Sequence, residues 1–212
     1  MTEFNQFTDT GFDAYTSTGF NVWDGLTVPT ISPVLITYGI RKFFCTLTGS
    51  QDGTTDIQIP IYSFQGRRRS GNPTYLSVVT HDTTYADEIA ARPNGEIYVE
   101  MGYDLGGTIY DRTEIIRGAL DTIVYDEGGK SQAITLSGHK TESWVGKAIN
   151  LEGATYKRTT NSAFTYRLSD INVLVKPGDS VTVNGDTFNP SAINFFVAAT
   201  KNGVNAQMEL TE

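Results

Sequence analysis

Cysteine occurs once in these 212 residues, at Cys45. A single thiol excludes an internal disulfide and any cysteine-based zinc site. Its neighbours Phe43 and Phe44 are apolar, so it reads as a small buried hydrophobe. Histidine occurs twice, as His81 and His139. Neither stands in a metal-ligand spacing and both adjoin turns, so hydrogen bonding in a loop or interface is expected of them rather than proton transfer. Charge is scarce, at 19% of residues, and its balance is acidic, with a net −8. Phosphate binding needs a basic surface, so nucleic acid is not expected as the main partner. No apolar run approaches the roughly 18 residues of a membrane helix, so no membrane insertion is expected. The first residues lack the basic start and apolar core of a signal peptide, which predicts synthesis and assembly in the cytoplasm.

Catalytic signatures are lacking as well. There is no G-x-S-x-G elbow and no phosphate loop. The pairs Gly106-Gly107 and Gly128-Gly129 fall between strands, where hairpins need them, and not before a helix. Asp52 with Asp56, and Asp121 with Asp126 and Glu127, lack the ligand ladder of an EF-hand. With 24 acidic residues, paired carboxylates for hydrolysis cannot be read off, because nothing singles out one pair. The chain is therefore expected to be no enzyme and to need no cofactor or metal.

What is abundant points to β-structure. There are 21 glycines, 11 tyrosines and 11 phenylalanines, a composition of tight turns and strand-favouring aromatics. Residues 1–30 show neither a helical nor a strand period and scatter Phe4, Phe7, Phe12, Tyr15, Phe20 and Trp23 among Thr, Asp and Gly. They read as an irregular arm that either wraps its own core or docks on a neighbouring subunit. Residues 31–150 read as a first β-domain. Val34–Tyr38, Lys42–Leu47, Asp56–Tyr62, Thr74–Val79, Glu96–Tyr103, a long or bent strand over Arg112–Tyr125, and Ser131–Ser137 are its expected strands. Pro60 marks an edge strand or bulge. The single helix candidate, Tyr85–Arg92, is capped by Asp82 or Thr83 and stopped at Pro93. Residues 151–212 add strands over Ala163–Leu168, Asn172–Lys176, Ser180–Asn184, Ser191–Ala199 and Asn205–Leu210, packing on that domain or on a neighbour. Strands spaced by about 8–12 residues with turn chemistry between them indicate a mainly β antiparallel barrel or sandwich.

Arg67-Arg68-Arg69 is the densest positive charge in this acidic chain. It is either a solvated hairpin tip or a contact with an acidic patch on the next subunit.

From residue 56 to 103 the order of features becomes specific. DIQIPIYSFQGRRRSGNPTYLSVV, then ADEIAARPNGEIYVEMGY, resembles a segment of the tail-hub and distal-tail (baseplate) proteins of long-tailed bacteriophages and gene transfer agents. GGKSQAITLSGHKT, VLVKPGDSVTVNGDTF and the terminal QMELTE are similar to such proteins too. The resemblance covers about half the chain. It implies a β-barrel of tail-hub type, a homo-oligomeric ring (trimer or hexamer) joining the tail tube to hub and tip proteins, a place in the virion tail, and no active site. Typical hub proteins are much longer, so this chain reads as half of a split hub or a smaller adaptor. Arg67, Arg68, Arg69, Tyr75, Phe4, Phe7, Phe12 and Trp23 are the expected subunit contacts. The rival readings are a carbohydrate-binding β-sandwich used in host attachment and a small hydrolase.

Overall fold

In an extended chain successive side chains point to opposite faces, so alternating sequences make strands with one apolar side. The computed structural model describes residues 40–105, 108–126, 128, 132–160, 163–200 and 203–212. Within them run β1 (Ile40–Leu47), β2 (Ile57–Ile59), β3 (Ser63–Arg69), β4 (Thr74–Thr80), β5 (Glu96–Leu105), β6 (Thr108–Asp126), β7 (Ala133–Lys140), β8 (Ala148–Leu151), β9 (Ala154–Thr160), β10 (Ala163–Leu168), β11 (Ser180–Val183), β12 (Asp186–Phe188), β13 (Ala192–Thr200) and β14 (Gly203–Thr211). One α-helix, α1 (Ala86–Ala90), follows a 3-10 turn at Thr83–Tyr85. Asp82 caps that turn, its carboxylate accepting the Thr84 N–H at 3.2 Å.

Eleven strands form one antiparallel sheet in the order β2-β1-β5-β6-β7-β4-β3-β13-β14-β10-β9. A second sheet has the order β12-β11-β8, with β11 and β8 parallel. The fold is mainly β with one short helix. The large sheet does not close into a barrel: among the described residues its end strands β2 and β9 each pair on one side only. Pro60 lies just past the end of β2, an edge position that spares the ladder its missing N–H.

The alternation in β3 and β4 is strict. Phe64, Gly66 and Arg68 face inward on β3, and Thr74, Leu76, Val78 and Thr80 do so on β4. Phe64, Leu76 and Val78 join Cys45, Leu47, Ile97, Val99, Ile116, Ile134, Leu136, Phe195, Val197, Met208 and Leu210 in one apolar core. Each large aliphatic side chain buried there contributes about 1.5–3 kcal/mol. α1 adds Ile89 to this core, and Arg92 beyond it ties the helix to the loop before β2 by donating to the carbonyls of Thr55, at 2.8 Å, and Glu88.

β6 bends twice. Its register against β5 shifts between Val99 and Glu100, leaving Ile115 without a cross-strand partner. Its register against β7 shifts between Leu120 and Thr122, leaving Asp121 outside the pairing. Each is a bulge that re-aims one residue. The second is closed by a glycine: a Cβ on Gly138 would stand 2.4 Å from the Ala119 carbonyl oxygen.

The strand expected over Asn172–Lys176 is absent; this segment is a turn and loop. Asn172 folds it locally, its side-chain oxygen accepting the Leu174 N–H at 3.0 Å. The following turn is held by Asp179, fully buried, which accepts the N–H groups of Lys147 at 2.9 Å and Lys176 at 2.7 Å. β8 and β9 occupy residues with no strand expectation. The expected arm over residues 1–30, with Phe4, Phe7, Phe12 and Trp23, and the strand over Val34–Tyr38 lie outside the described residues.

Candidate assembly surface

The sheet's inner face is spent on the core, which leaves the side chains of its outer face and its edges for contacts elsewhere. Cross-strand register places the outward residues in rows. One row runs Tyr156 on β9, Arg167 on β10, Glu209 on β14, Asn194 on β13, Arg67 on β3, Tyr75 on β4 and His139 on β7. Most of its members have a partner, within the row or beside it. Arg167 reaches Glu209 at 3.1 Å and lies over the Tyr156 ring. Asn194 donates to Glu209 at 3.4 Å, Tyr75 donates to Ser137 at 3.3 Å, and His139 pairs with Asp121 at the second bulge. Arg67 differs. Among the described residues neither it nor Arg69 has an ion-pair partner.

The three arginines part company because the strand alternates. Arg67 and Arg69 are exposed, whereas Arg68 turns inward and is only 6% exposed. Its guanidinium donates to the Ile115 carbonyl freed by the first β6 bulge, and to the carbonyls of Val175 at 3.1 Å and Val173 at 3.3 Å. It also lies 5.3 Å from the Phe195 ring centroid. Burial lowers its pKa from the ordinary arginine value, while Glu142 and Glu114 push it back up. Arg68 therefore braces β3 against β6 and the 170s loop. Spacing alone held this signal, since period two must separate 68 from 67 and 69.

Beside that row lies a stretch of the outer face without charge. Positions 63, 65, 77, 79, 135, 137, 196, 198, 205 and 207 carry no Lys, Arg, Asp or Glu. Phe196 stands at its middle, 39% exposed, directly between Gln65 and Gln207 on the flanking strands. The small side chain of Ala198 leaves a shallow groove of about 240 Å³ beside it, bordered by Ser63 and Asn205. Tyr75 at the border is 47% exposed. Charge depletion around an aromatic, with arginine and tyrosine at the rim, is the composition of a protein interface. The outer face over β5 and β6 is different: there Arg112 pairs with Glu100, and Arg117 with Glu96 and Glu114.

Groups that could do chemistry are engaged structurally. Asp52 accepts from Asn94, Asp56 from the Gly49 N–H and Asp126 from the Gly128 N–H. His81 packs on the Tyr62 ring at 4.0 Å. Tyr166 donates to Asp186, which also pairs with Lys157 and so fastens β9 and β10 to β12. Those contacts lower the Asp186 pKa, the Lys157 bond most, and raise that of Lys157, chiefly through Asp186. Among the described residues no three His, Cys, Asp or Glu side chains cluster as metal ligands.

No protein-family model matches this sequence, and none of the curated proteins does. Solved structures do. The 43 kDa tail protein of prophage MuSo2 from Shewanella oneidensis is 9% identical, with a TM-score of 0.53 over 80% of this chain and 96% of that one. A tail protein from Neisseria meningitidis MC58 is 8% identical, with a TM-score of 0.48 over 82% of this chain and 96% of that one. A type VI secretion component of E. coli, described as structurally similar to T4 bacteriophage tail proteins, is 7% identical, with a TM-score of 0.43 over 72% and 73%. The fold is thus shared with the prophage tail protein.

Proposed function

We propose that this chain is a non-enzymatic structural subunit of a bacteriophage tail tip or baseplate. In this reading it forms a trimeric or hexameric ring that joins the tail tube to the distal tip proteins. It is assembled in the host cytoplasm and resides in the virion tail. The shared fold supports the tail setting, and the charge-free outer face around Phe196 carries the assembly role. Subunit contacts are assigned to Arg67, Arg69 and Tyr75 at the border of that face, and to Phe4, Phe7, Phe12 and Trp23 of the N-terminal segment. Arg68 supports the contact from inside by fixing the strand that displays Arg67 and Arg69.

The experiment is to purify tail particles from cells producing the phage and to locate and count this chain by labelling and quantitative mass spectrometry. Presence at the distal end in a ring-compatible copy number supports the reading; absence from particles overturns it. One observation favours a second reading. Phe196 with the amides of Gln65, Gln207 and Asn205, none of which has a side-chain partner among the described residues, is a combination that stacks on and hydrogen-bonds a neutral sugar. Saturable glycan binding lost on Phe196→Ala would shift the assignment to a carbohydrate-binding module.

A further inference from the structure

We infer that two copies of the free chain close on each other through the outer face, about a two-fold axis running along β13. The inference rests on the proposed function only in treating this face as an assembly surface.

β14 and β3 flank β13 on either side. A two-fold along β13 therefore lays β14 of one copy over β3 of the other and keeps every row at its own level. At the level of Asn194, Glu209 meets the partner's Arg67, and the partner's Glu209 meets Arg67. One level along, Phe196 meets its own counterpart, and Gln207 meets the partner's Gln65, amide to amide. One strand further out, Arg167 on β10 faces the partner's Tyr75 on β4. Opposite charges, amides and aromatics thus match at these two levels, and at the level of Ala192 Arg69 faces the neutral Thr211 of the other copy.

Neighbouring axes fail this test. A two-fold along β3 sets Arg67 on the partner's Arg67, and one along β14 sets Glu209 on the partner's Glu209. Either juxtaposition of like charges costs several kcal/mol. Sheets packed face to face stand about 10 Å apart, which side chains of this size fill. Arg67 gains a share of the carboxylate that Arg167 already holds within the other copy, and the charge-free centre loses its water. An isologous pair uses the same patch on both copies and cannot grow further. It keeps the free chain from polymerising until tail partners displace it.

The test is sedimentation equilibrium of the full chain across a wide concentration range. The expected species is a dimer, twice 23.2 kDa. Arg67→Glu and Glu209→Arg are each expected to raise the dimer dissociation constant by about tenfold or more. An equimolar mixture of the two variants is the decisive sample. In their heterodimer the glutamate introduced at position 67 of one chain faces the arginine introduced at position 209 of the other. The unmutated Arg67 and Glu209 of the two chains face each other as in the wild type, so dimerisation returns toward the wild-type value. Repair within one chain cannot produce that result. Phe196→Asp places two carboxylates together at the axis and yields monomer, with thermal unfolding reporting that the fold is kept. A monomeric wild type, a dimer or ring indifferent to Arg67→Glu, or a mixture that stays monomeric overturns the inference. A ring indifferent to these charges leaves the tail reading standing, whereas absence from tail particles sinks the tail reading and leaves the pair.

Discussion

Arg68→Met is the perturbation that most sharply separates brace from surface within the arginine triplet. Methionine keeps an aliphatic stem of similar length in the core but donates nothing. The carbonyls of Ile115 and Val175, both bonded to Arg68 inside the protein, are then left unpaired, and Val173 loses its more open bond. A buried acceptor stranded in this way costs about 1–3 kcal/mol. Two of them, less the relief of no longer burying a cation, give a net loss of about 3 kcal/mol. A domain of this size loses about 2–4 °C per kcal/mol, so Tm is expected to fall by roughly 6–12 °C. Arg67→Met, on the exposed side of the same strand, is expected to move Tm by no more than about 2 °C. Arg68→Lys falls between, because one ammonium cannot reach three carbonyls. The assay is thermal unfolding by circular dichroism of the three variants beside the parent. Arg68→Met and Arg67→Met shifting Tm equally would refute the brace.

Cys45 is fully buried, and burial pushes its pKa up to about 12. It is expected to resist a thiol reagent at neutral pH in the native protein and to react completely in denaturant, so native-state labelling would contradict its placement. Asp179→Asn turns one acceptor into a donor facing the Lys176 N–H and should cost about 1–3 kcal/mol, read as a lowered denaturation midpoint without change in native mass. Asp186 has its pKa lowered in the folded state, so its stabilising contribution is present above the unfolded carboxylate value of about 4 and is lost as pH falls through the folded value. Lys157 is raised, so its share is present below about 10 and is lost as pH rises through its folded value. Asp186→Asn should therefore flatten both limbs of a Tm-versus-pH profile; an unchanged profile would contradict the pairing. Gly138→Ala drives a Cβ against the Ala119 carbonyl and should cost about 1–3 kcal/mol, measured by chemical denaturation.

Much of the fold was legible because local chemistry and global packing agree there. Residues 56–62 and 74–79 alternate cleanly, although only Ile57–Ile59 of the first stretch form a strand and the chain leaves it at Pro60, and Asp82 stands where a cap is needed. The long strand over Arg112–Tyr125 announced itself by length, though not by its breaks in register, since these depend on what the partner strand offers. The segment Asn172–Lys176 alternates like a strand, yet its carbonyls go to Arg68, a partner 105 residues away from Val173. β9 went unread because ATYKRTT is polar on both sides, as suits an edge strand with five successive exposed residues. The parallel pairing of β8 with β11 joins segments far apart in sequence and leaves no local mark. The assembly surface was legible only in part. Tyr75 and the arginine triplet stood out as residues, but the charge-free stretch around Phe196 exists only after five strands are placed side by side.

The most direct measurement of the central claim is the copy number and position of this chain in purified tail particles. A trimeric or hexameric complement is expected at the distal end of the tail, lost when Phe196→Asp disrupts the outer face while the chain still folds. Intact tails that lack the chain, or that incorporate the Phe196→Asp variant at full occupancy, would contradict it.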